Sequence, residues 1–109
     1  MNAGALDRRL QFRRATLVQG PFGQQETWAD HGSPVWGSRK DVRDTEKAAA
    51  GQIASTIMSR FVVRWSELTR QINAKDRFTC DGLEWLVIGV KETGERRRWI
   101  EITAETGSD

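Results

Sequence analysis

The sequence predicts a mainly β domain, a small β-barrel of roughly five to six antiparallel strands with a long polar insertion loop that could carry a short helix. Near the C-terminus two alternating apolar runs meet at Asp81-Gly82, a pair that readily adopts the positive φ angles of a type I′ turn. Between residues 37 and 52 the chain has almost no large apolar side chain, which is typical of a long loop. The apolar alternation therefore predicts the strands of the barrel, and the polar stretch predicts the insertion loop.

Alternating apolar residues indicate two strand regions in the first third of the chain. Residues 6–18 predict the first strand, which we expect at an edge or rim because Arg8 and Arg14 share the parity of its apolar residues and their long stems can reach solvent there. Residues 20–23 predict a turn. Two apolar anchors, Thr27-Trp28 and Val35-Trp36, are then separated by a loop, since Pro34 cannot donate a hydrogen bond within a central strand.

The second half of the chain predicts four further features. Residues 53–65 form a strand pattern, and residues 67–76 connect it to the next strand with Ile72 as a core residue. Three strands then follow as a meander, with returns at Asp81-Gly82 and Thr93-Gly94. All 109 residues are expected to form a single domain, residues 1–109, because a chain of this length buries enough surface for one modest core.

Composition narrows the possible functions. Seventeen basic and fifteen acidic residues nearly cancel, so the net charge of +2 argues neither for nor against nucleic acid. Neither an N-terminal signal peptide nor a span of about 20 apolar residues is present, so we expect a soluble chain, made in the cytoplasm, with no membrane partner. The single cysteine, Cys80, excludes an internal disulfide and is expected to be a small buried strand residue.

Residues for chemistry are scarce. His31 and Cys80 cannot supply a zinc site of four nitrogen and sulfur ligands within one chain, and no phosphate-binding glycine motif occurs. We therefore expect no enzyme activity, no catalytic residue, no metal and no cofactor.

Two basic clusters remain. They could protect strand edges, contact phosphate, or pair with an acidic face of a neighbouring subunit. As an alternative function, Phe12, Trp99 and the arginines could serve a nucleic-acid-binding β-barrel of the oligonucleotide-binding type. Alternation instead places both rings in the core, as it does most of the five tryptophans. The cluster residues, interpreted as an assembly rim, are Arg8, Arg9, Arg13, Arg14, Arg96 and Arg97.

An ordered set of residues along the chain carries a resemblance to a known family. The set comprises residues 4–10, Gly23, Trp28, Val35-Trp36-Gly37, Glu46, Ala48-Ala49, Arg64-Trp65, Ile72, Asp76-Arg77, Gly82, Trp85, Ile88, Val90, residues 94–96 and residues 100–102. Together they resemble the head–tail joining (head-closure, or stopper) proteins of tailed bacteriophages, prophages and gene transfer agents. Gly37 stands where alanine is more usual in that pattern.

The resemblance implies a subunit of a ring in the head–tail connector of a virion or phage-like particle. Its partners would be itself, in a ring homo-oligomer of roughly six or twelve copies, the portal or adaptor ring on the head side, the tail terminator or tail tube on the other side, and packaged double-stranded DNA in the channel. The insertion loop, about residues 38–52, would face the channel or a neighbouring subunit. Its charged residues are Arg39, Lys40, Asp41, Arg43, Asp44, Glu46 and Lys47.

Overall fold

The computed structural model describes residues 6–42, 56–94 and 98–107. Within these ranges the chain is almost entirely β, and its single helical element is a 3₁₀ turn over Thr69–Gln71. All strand pairings are antiparallel, as predicted. The seven strands are β1 Arg8–Gly20, β2 Gly23–Asp30, β3 Val35–Asp41, β4 Thr56–Arg64, β5 Arg77–Cys80, β6 Leu83–Thr93 and β7 Trp99–Gly107.

The predicted turns lie where the sequence places them. Asp81 and Gly82 have φ angles of 55° and 76°, so both central residues of the β5–β6 turn are left-handed, as a type I′ turn requires. Cys80 pairs with Leu83 on either side of this turn. The predicted meander is confirmed, because β5, β6 and β7 pair in succession.

Six of the strands close into a ring. β1 pairs with β3, β3 with β4, β4 with β7, β7 with β6, β6 with β5, and β5 returns to β1. The expectation that the first strand lies at an edge or rim is therefore wrong for residues 8–13. Residues Arg8 to Leu10 pair with β3 and residues Gln11 to Arg13 pair with β5, so this part of β1 has neighbours on both sides.

Beyond Arg13 the first strand leaves the ring. Among the described residues, residues 14–20 of β1 pair with β2 alone, in a register that runs from Arg14↔Ala29 to Gly20↔Gly23. This two-stranded hairpin, residues 14–29, is called the arm below. At about 3.3 Å per residue, its seven-residue first strand reaches roughly 23 Å from the ring.

The core fills the inside of the ring. Phe61 packs edge-on against Phe78 and Trp85, with ring centroids 4.8 Å and 5.0 Å apart. Ile72, only 4% exposed, lies in this core from the connector, as predicted. The expectation that most tryptophans are core is wrong, since Trp85 alone is fully buried among the described residues and Trp36 is 51% exposed.

Gly37 lies where β1, β3 and β4 approach one another. A Cβ at this position would lie 2.9 Å from Leu10 Cδ1 and from Val63 Cγ1, and 3.0 Å from the Val62 carbonyl oxygen. The alanine that is more usual in the resembled pattern would therefore not fit here without displacing its neighbours.

The insertion starts later than the predicted boundary at residue 38. Strand β3 continues to Asp41 and pairs with β4 as far as Asp41↔Ser59. Arg39, Lys40 and Asp41 therefore belong to a strand of the ring, and the insertion between β3 and β4 comprises residues 42–55. The expected short helix, with Arg43, Asp44, Glu46 and Lys47, lies outside the described residues, as do Arg96 and Arg97.

Candidate assembly surfaces

A network of charged side chains connects three parts of the chain at the end of the ring where the insertion begins. Asp81, in the β5–β6 turn, accepts hydrogen bonds from Arg8 Nη1 at 3.3 Å and from Arg39 Nη1 at 2.9 Å. Because these arginines lie on β1 and β3, one carboxylate ties two strands to the turn. Arg8, predicted as a rim residue, and Arg39, predicted as a loop residue, thus both form hydrogen bonds with a carboxylate of their own chain.

The same network reaches the last residue before the insertion. Arg39 Nε donates to Asp41 Oδ1 at 3.0 Å, and Ser59 Oγ on β4 donates to the same oxygen at 2.6 Å. The Arg39 guanidinium also lies 4.9 Å from the centre of the Trp85 ring. Asp41 is thus held from two strands, so the insertion leaves the ring at a braced position.

Burial and hydrogen bonding act in opposite directions on Arg39. Desolvation lowers the pKa of its guanidinium, but hydrogen bonds with Asp81 and Asp41 outweigh it and the pKa is raised above the ordinary value. Arg39 therefore remains charged at any physiological pH.

Cys80 lies beside this network. It is 2% exposed, as predicted for a small strand residue. Burial, with the negative charge of Asp81, raises the pKa of its thiol to about 11. The thiol is therefore protonated near pH 7 and is a poor nucleophile.

Arg14 forms a bidentate ion pair inside the chain. Its Nε and Nη2 atoms donate to the two carboxylate oxygens of Asp76, each at 2.9 Å, and Nη2 also donates to the Gln71 carbonyl at 2.8 Å. The hydrogen bond to Asp76 is the main reason that the pKa of Arg14 is raised. Asp76 is only 2% exposed. Arg14, predicted as a rim residue, thus fixes the base of the arm to the connector before β5.

Arginines also cover tryptophan rings on the outside of the ring. Arg9 lies 4.6 Å from the centre of the half-exposed Trp36 ring, and Arg64 lies 5.4 Å from that of Trp99. At exposed sites such cation–π contacts contribute about 0.5–1 kcal/mol. Lys40, on the same strand as Trp36, is exposed.

Arg13 lies where the arm joins the ring. Its Nε atom is 3.5 Å from Asp30 Oδ1, and its Nη2 atom donates to the Trp28 carbonyl at 3.3 Å. Arg13 therefore contacts β2 at the base of the arm, whereas the neighbouring Arg14 contacts the connector before β5.

These positions weaken the alternative of an oligonucleotide-binding barrel. Phe12 is fully buried and packs against Phe78 with ring centroids 5.6 Å apart, so its ring cannot stack on a base. Trp99 is only partly exposed and already has Arg64 over its ring.

The arm is a surface that the sequence analysis missed. Phe22 at its tip is 95% exposed, and Leu17 and Val18 nearby are 66% and 50% exposed. A signal was available: residues 15–25 carry no charged side chain, in a sequence in which 29% of residues are charged. Exposed apolar side chains clustered in this way mark interaction sites more often than scattered single ones do.

A groove of about 700 Å³ lies between the arm and the ring. Its apolar lining includes Leu17 and Trp28 from the arm and Leu86 from β6. Leu86 itself is 41% exposed on the outer face of the ring. In the described part of the chain, no three His, Cys, Asp or Glu side chains cluster as a metal site, and no helix is long and apolar enough to cross a membrane.

Comparison with known families decides which kind of protein this is. The family described as phage head completion protein matches residues 1–107. The chain belongs to this family. The resemblance inferred from the sequence is thereby confirmed, and this head completion protein has a structural role in the phage head.

Solved structures are consistent with the family. The solution structure of a protein from Shigella flexneri 2a has a TM-score of 0.73 and 26% identity, over 100% of this chain and 99% of that one. A chain of the virion of a native gene transfer agent particle has a TM-score of 0.67 and 20% identity, over 94% of each chain, and shares the fold. The comparison with curated proteins gives no match.

Proposed function

We propose that this head completion protein is a stopper subunit of the head–tail connector. Several copies would form a ring beneath the portal and adaptor, close the DNA exit channel after packaging, and present a docking surface to the tail. The protein would be made in the bacterial cytoplasm and would act in the assembled particle.

Beside the family, the main support for the proposal is the way in which the ring holds the residue before the insertion. A closed ring of strands has almost no free edge, so it offers a rigid support for a segment that must withstand pressure from DNA. Asp41, directly before the insertion, is held by Arg39 and Ser59. An insertion that blocks a channel needs to start from a residue that is held in place, as Asp41 is.

The charges in and around the insertion favour a steric mechanism. Arg43 and Lys47 are balanced by Asp44 and Glu46 in the sequence, so the insertion has no excess of positive charge to hold phosphates. A block that does not bind DNA tightly would also permit later ejection. We therefore assign residues 43–50 to closing the channel by their bulk, with contacts to neighbouring subunits.

Replacing residues 43–50 with two glycines tests the proposal. The variant chain is expected to fold with nearly unchanged thermal stability, because loop-closure entropy changes only logarithmically with loop length and the Arg39 network is retained. Particles carrying it are expected to lose packaged DNA, measured as the nuclease-resistant DNA per particle.

A length-preserving variant serves as the control. It replaces Arg43, Glu46 and Lys47 with glutamine and Asp44 with asparagine, which removes the charges but keeps the side-chain volume, and it is expected to retain DNA, since the block is steric. Normal DNA retention and tail joining by the shortened variant would contradict the proposed function.

A further inference from the structure

We propose that the tip of the arm of one copy docks into the groove at the base of the arm of the next copy, so that copies join head to tail. This inference rests on the proposed function, because it names the contact by which the ring would form. The two surfaces involved are the turn around Phe22 and the groove lined by Leu17, Trp28 and Leu86.

The arm tip has the properties of an inserting segment. Phe22 is 95% exposed, and its neighbours along the tip are glycine, proline and glutamine, none of which carries a charge. Burying an aromatic ring of this kind removes about 150–250 Å² from water, which makes Phe22 the main apolar anchor available on the arm.

Four of the five charged side chains that line the groove have partners within the chain. Arg77, which borders it, donates to Glu84 at 3.0 Å and lies 4.4 Å from the centre of the Trp28 ring. Arg14 is paired with the buried Asp76, and Glu26 accepts a hydrogen bond from Trp28 Nε1 at 3.1 Å. The fifth charged residue, Lys75, is exposed. Charges that already have partners cost little when a neutral segment covers them.

The tip of a chain cannot reach its own groove. Leu17 lines the groove, and Phe22 lies in the turn beyond the Gly20↔Gly23 pair, three to four residues further along the hairpin, roughly 10–13 Å away at 3.3 Å per residue. The pairing of β1 with β2 continues to Gly20↔Gly23, so the arm does not fold back. The exposed arm tip and the groove therefore cannot meet within one chain, so we assign them to a contact between two copies.

Two unlike surfaces that fit each other produce a heterologous contact, which closes into a ring or extends into a filament. The area involved is small: one aromatic ring with adjoining aliphatic side chains buries a few hundred Å² on each partner, below the roughly 1,200 Å² in total of a stable complex. We therefore expect a monomer in dilute solution and arm contacts only where particle assembly holds the copies side by side.

Cysteine cross-linking in assembled particles tests this contact. The variant Phe22→Cys/Leu86→Cys, treated with a short bismaleimide, is expected to give a ladder of covalent multimers, because each copy would be joined to both neighbours. Either substitution alone is expected to give none. Native Cys80 remains in place because it is buried. The matched control, Phe22→Cys/Lys91→Cys, moves the second thiol five residues along β6, about 16 Å away, and should not cross-link.

A second measurement separates contact from folding. Phe22→Asp is expected to reduce incorporation into particles at least about tenfold while leaving the melting temperature unchanged, as for an interface anchor with no core contacts. Gln24→Asp, which places the same charge at another exposed site on the arm, should incorporate normally.

The possible failures are distinguishable. Dimers formed by Phe22→Cys alone would show a symmetric arm-to-arm contact and would overturn the head-to-tail proposal. Normal amounts of the double variant in particles, without a ladder, would overturn it as well. Absence of the unmodified chain from the head–tail junction would instead contradict the proposed function, and this proposal with it.

Discussion

Replacement of Arg14 with alanine is expected to lower the free energy of unfolding by about 3 kcal/mol, which corresponds to a fall of roughly 13 °C in melting temperature for a chain of this length. Asp76 is 2% exposed, and its carboxylate would lose both hydrogen bonds from the guanidinium. An unpaired buried carboxylate is costly because it has left water without gaining a counter-charge. The Asn73 backbone amide, 3.0 Å away, would be one of the few groups still stabilising it.

Thermal unfolding followed by circular dichroism checks this expectation. The matched control is Arg70→Ala, which breaks the ion pair between Arg70 and Glu67. The Arg70 side chain is 49% exposed and the Glu67 side chain is 75% exposed. Exposed pairs contribute about 0–1 kcal/mol, so this variant should melt close to the unmodified protein. Equal melting temperatures for the two variants would show that the Arg14–Asp76 pair does not hold the arm to the ring.

Replacement of Trp85 with alanine is expected to lower the free energy of unfolding by about 4 kcal/mol, at least as much as the Arg14 replacement. Trp85 is fully buried, and Phe61 and Phe78 pack against its ring. Its Nε1 atom donates to the Cys80 carbonyl at 3.2 Å, immediately before the β5–β6 turn. Alanine would leave a large cavity in the ring and a buried carbonyl without this donor.

Trp36→Ala is the matched control for this variant. Trp36 is 51% exposed and contacts Arg9, so its removal should cost about 1 kcal/mol or less. Urea unfolding measures both variants, with circular dichroism as the probe because each substitution removes a fluorophore. A Trp85→Ala variant as stable as Trp36→Ala would contradict the assignment of the core.

The sequence predicted those parts of the fold that local chemistry controls. Asp81-Gly82 specifies its turn through backbone conformation alone, and the alternation on either side assigns β5 and β6. Ile72 could be assigned to the core because it is a large apolar residue in a mostly polar connector. These features depend on residues that are neighbours in the chain.

Features that depend on distant residues could not be predicted in this way. Arg14 was interpreted as a rim residue, but its partner Asp76 lies 62 positions away. The pairing of β1 with β5, which closes the ring and removes the expected edge, is equally non-local. Alternation locates a strand and its faces, whereas it does not say which strand lies beside it.

The assembly surfaces were predicted unevenly for the same reason. Arg39 and Asp41 were singled out by their charge, and the structure places them in a strand that braces the insertion. The arm was missed because its alternation is that of an ordinary strand pair. Its exposure follows from the absence of a third strand beside residues 14–20 in the described part of the chain.

The central claim is that this head completion protein forms the stopper ring of the connector. Cryo-electron microscopy of particles that contain the chain tests it most directly. The account predicts a ring of copies between the portal side and the tail, with residues 43–50 directed towards the channel axis and Phe22 of each copy against Leu86 of the next. Density for the chain elsewhere in the particle, or an open channel lined by residues other than 43–50, would contradict the account.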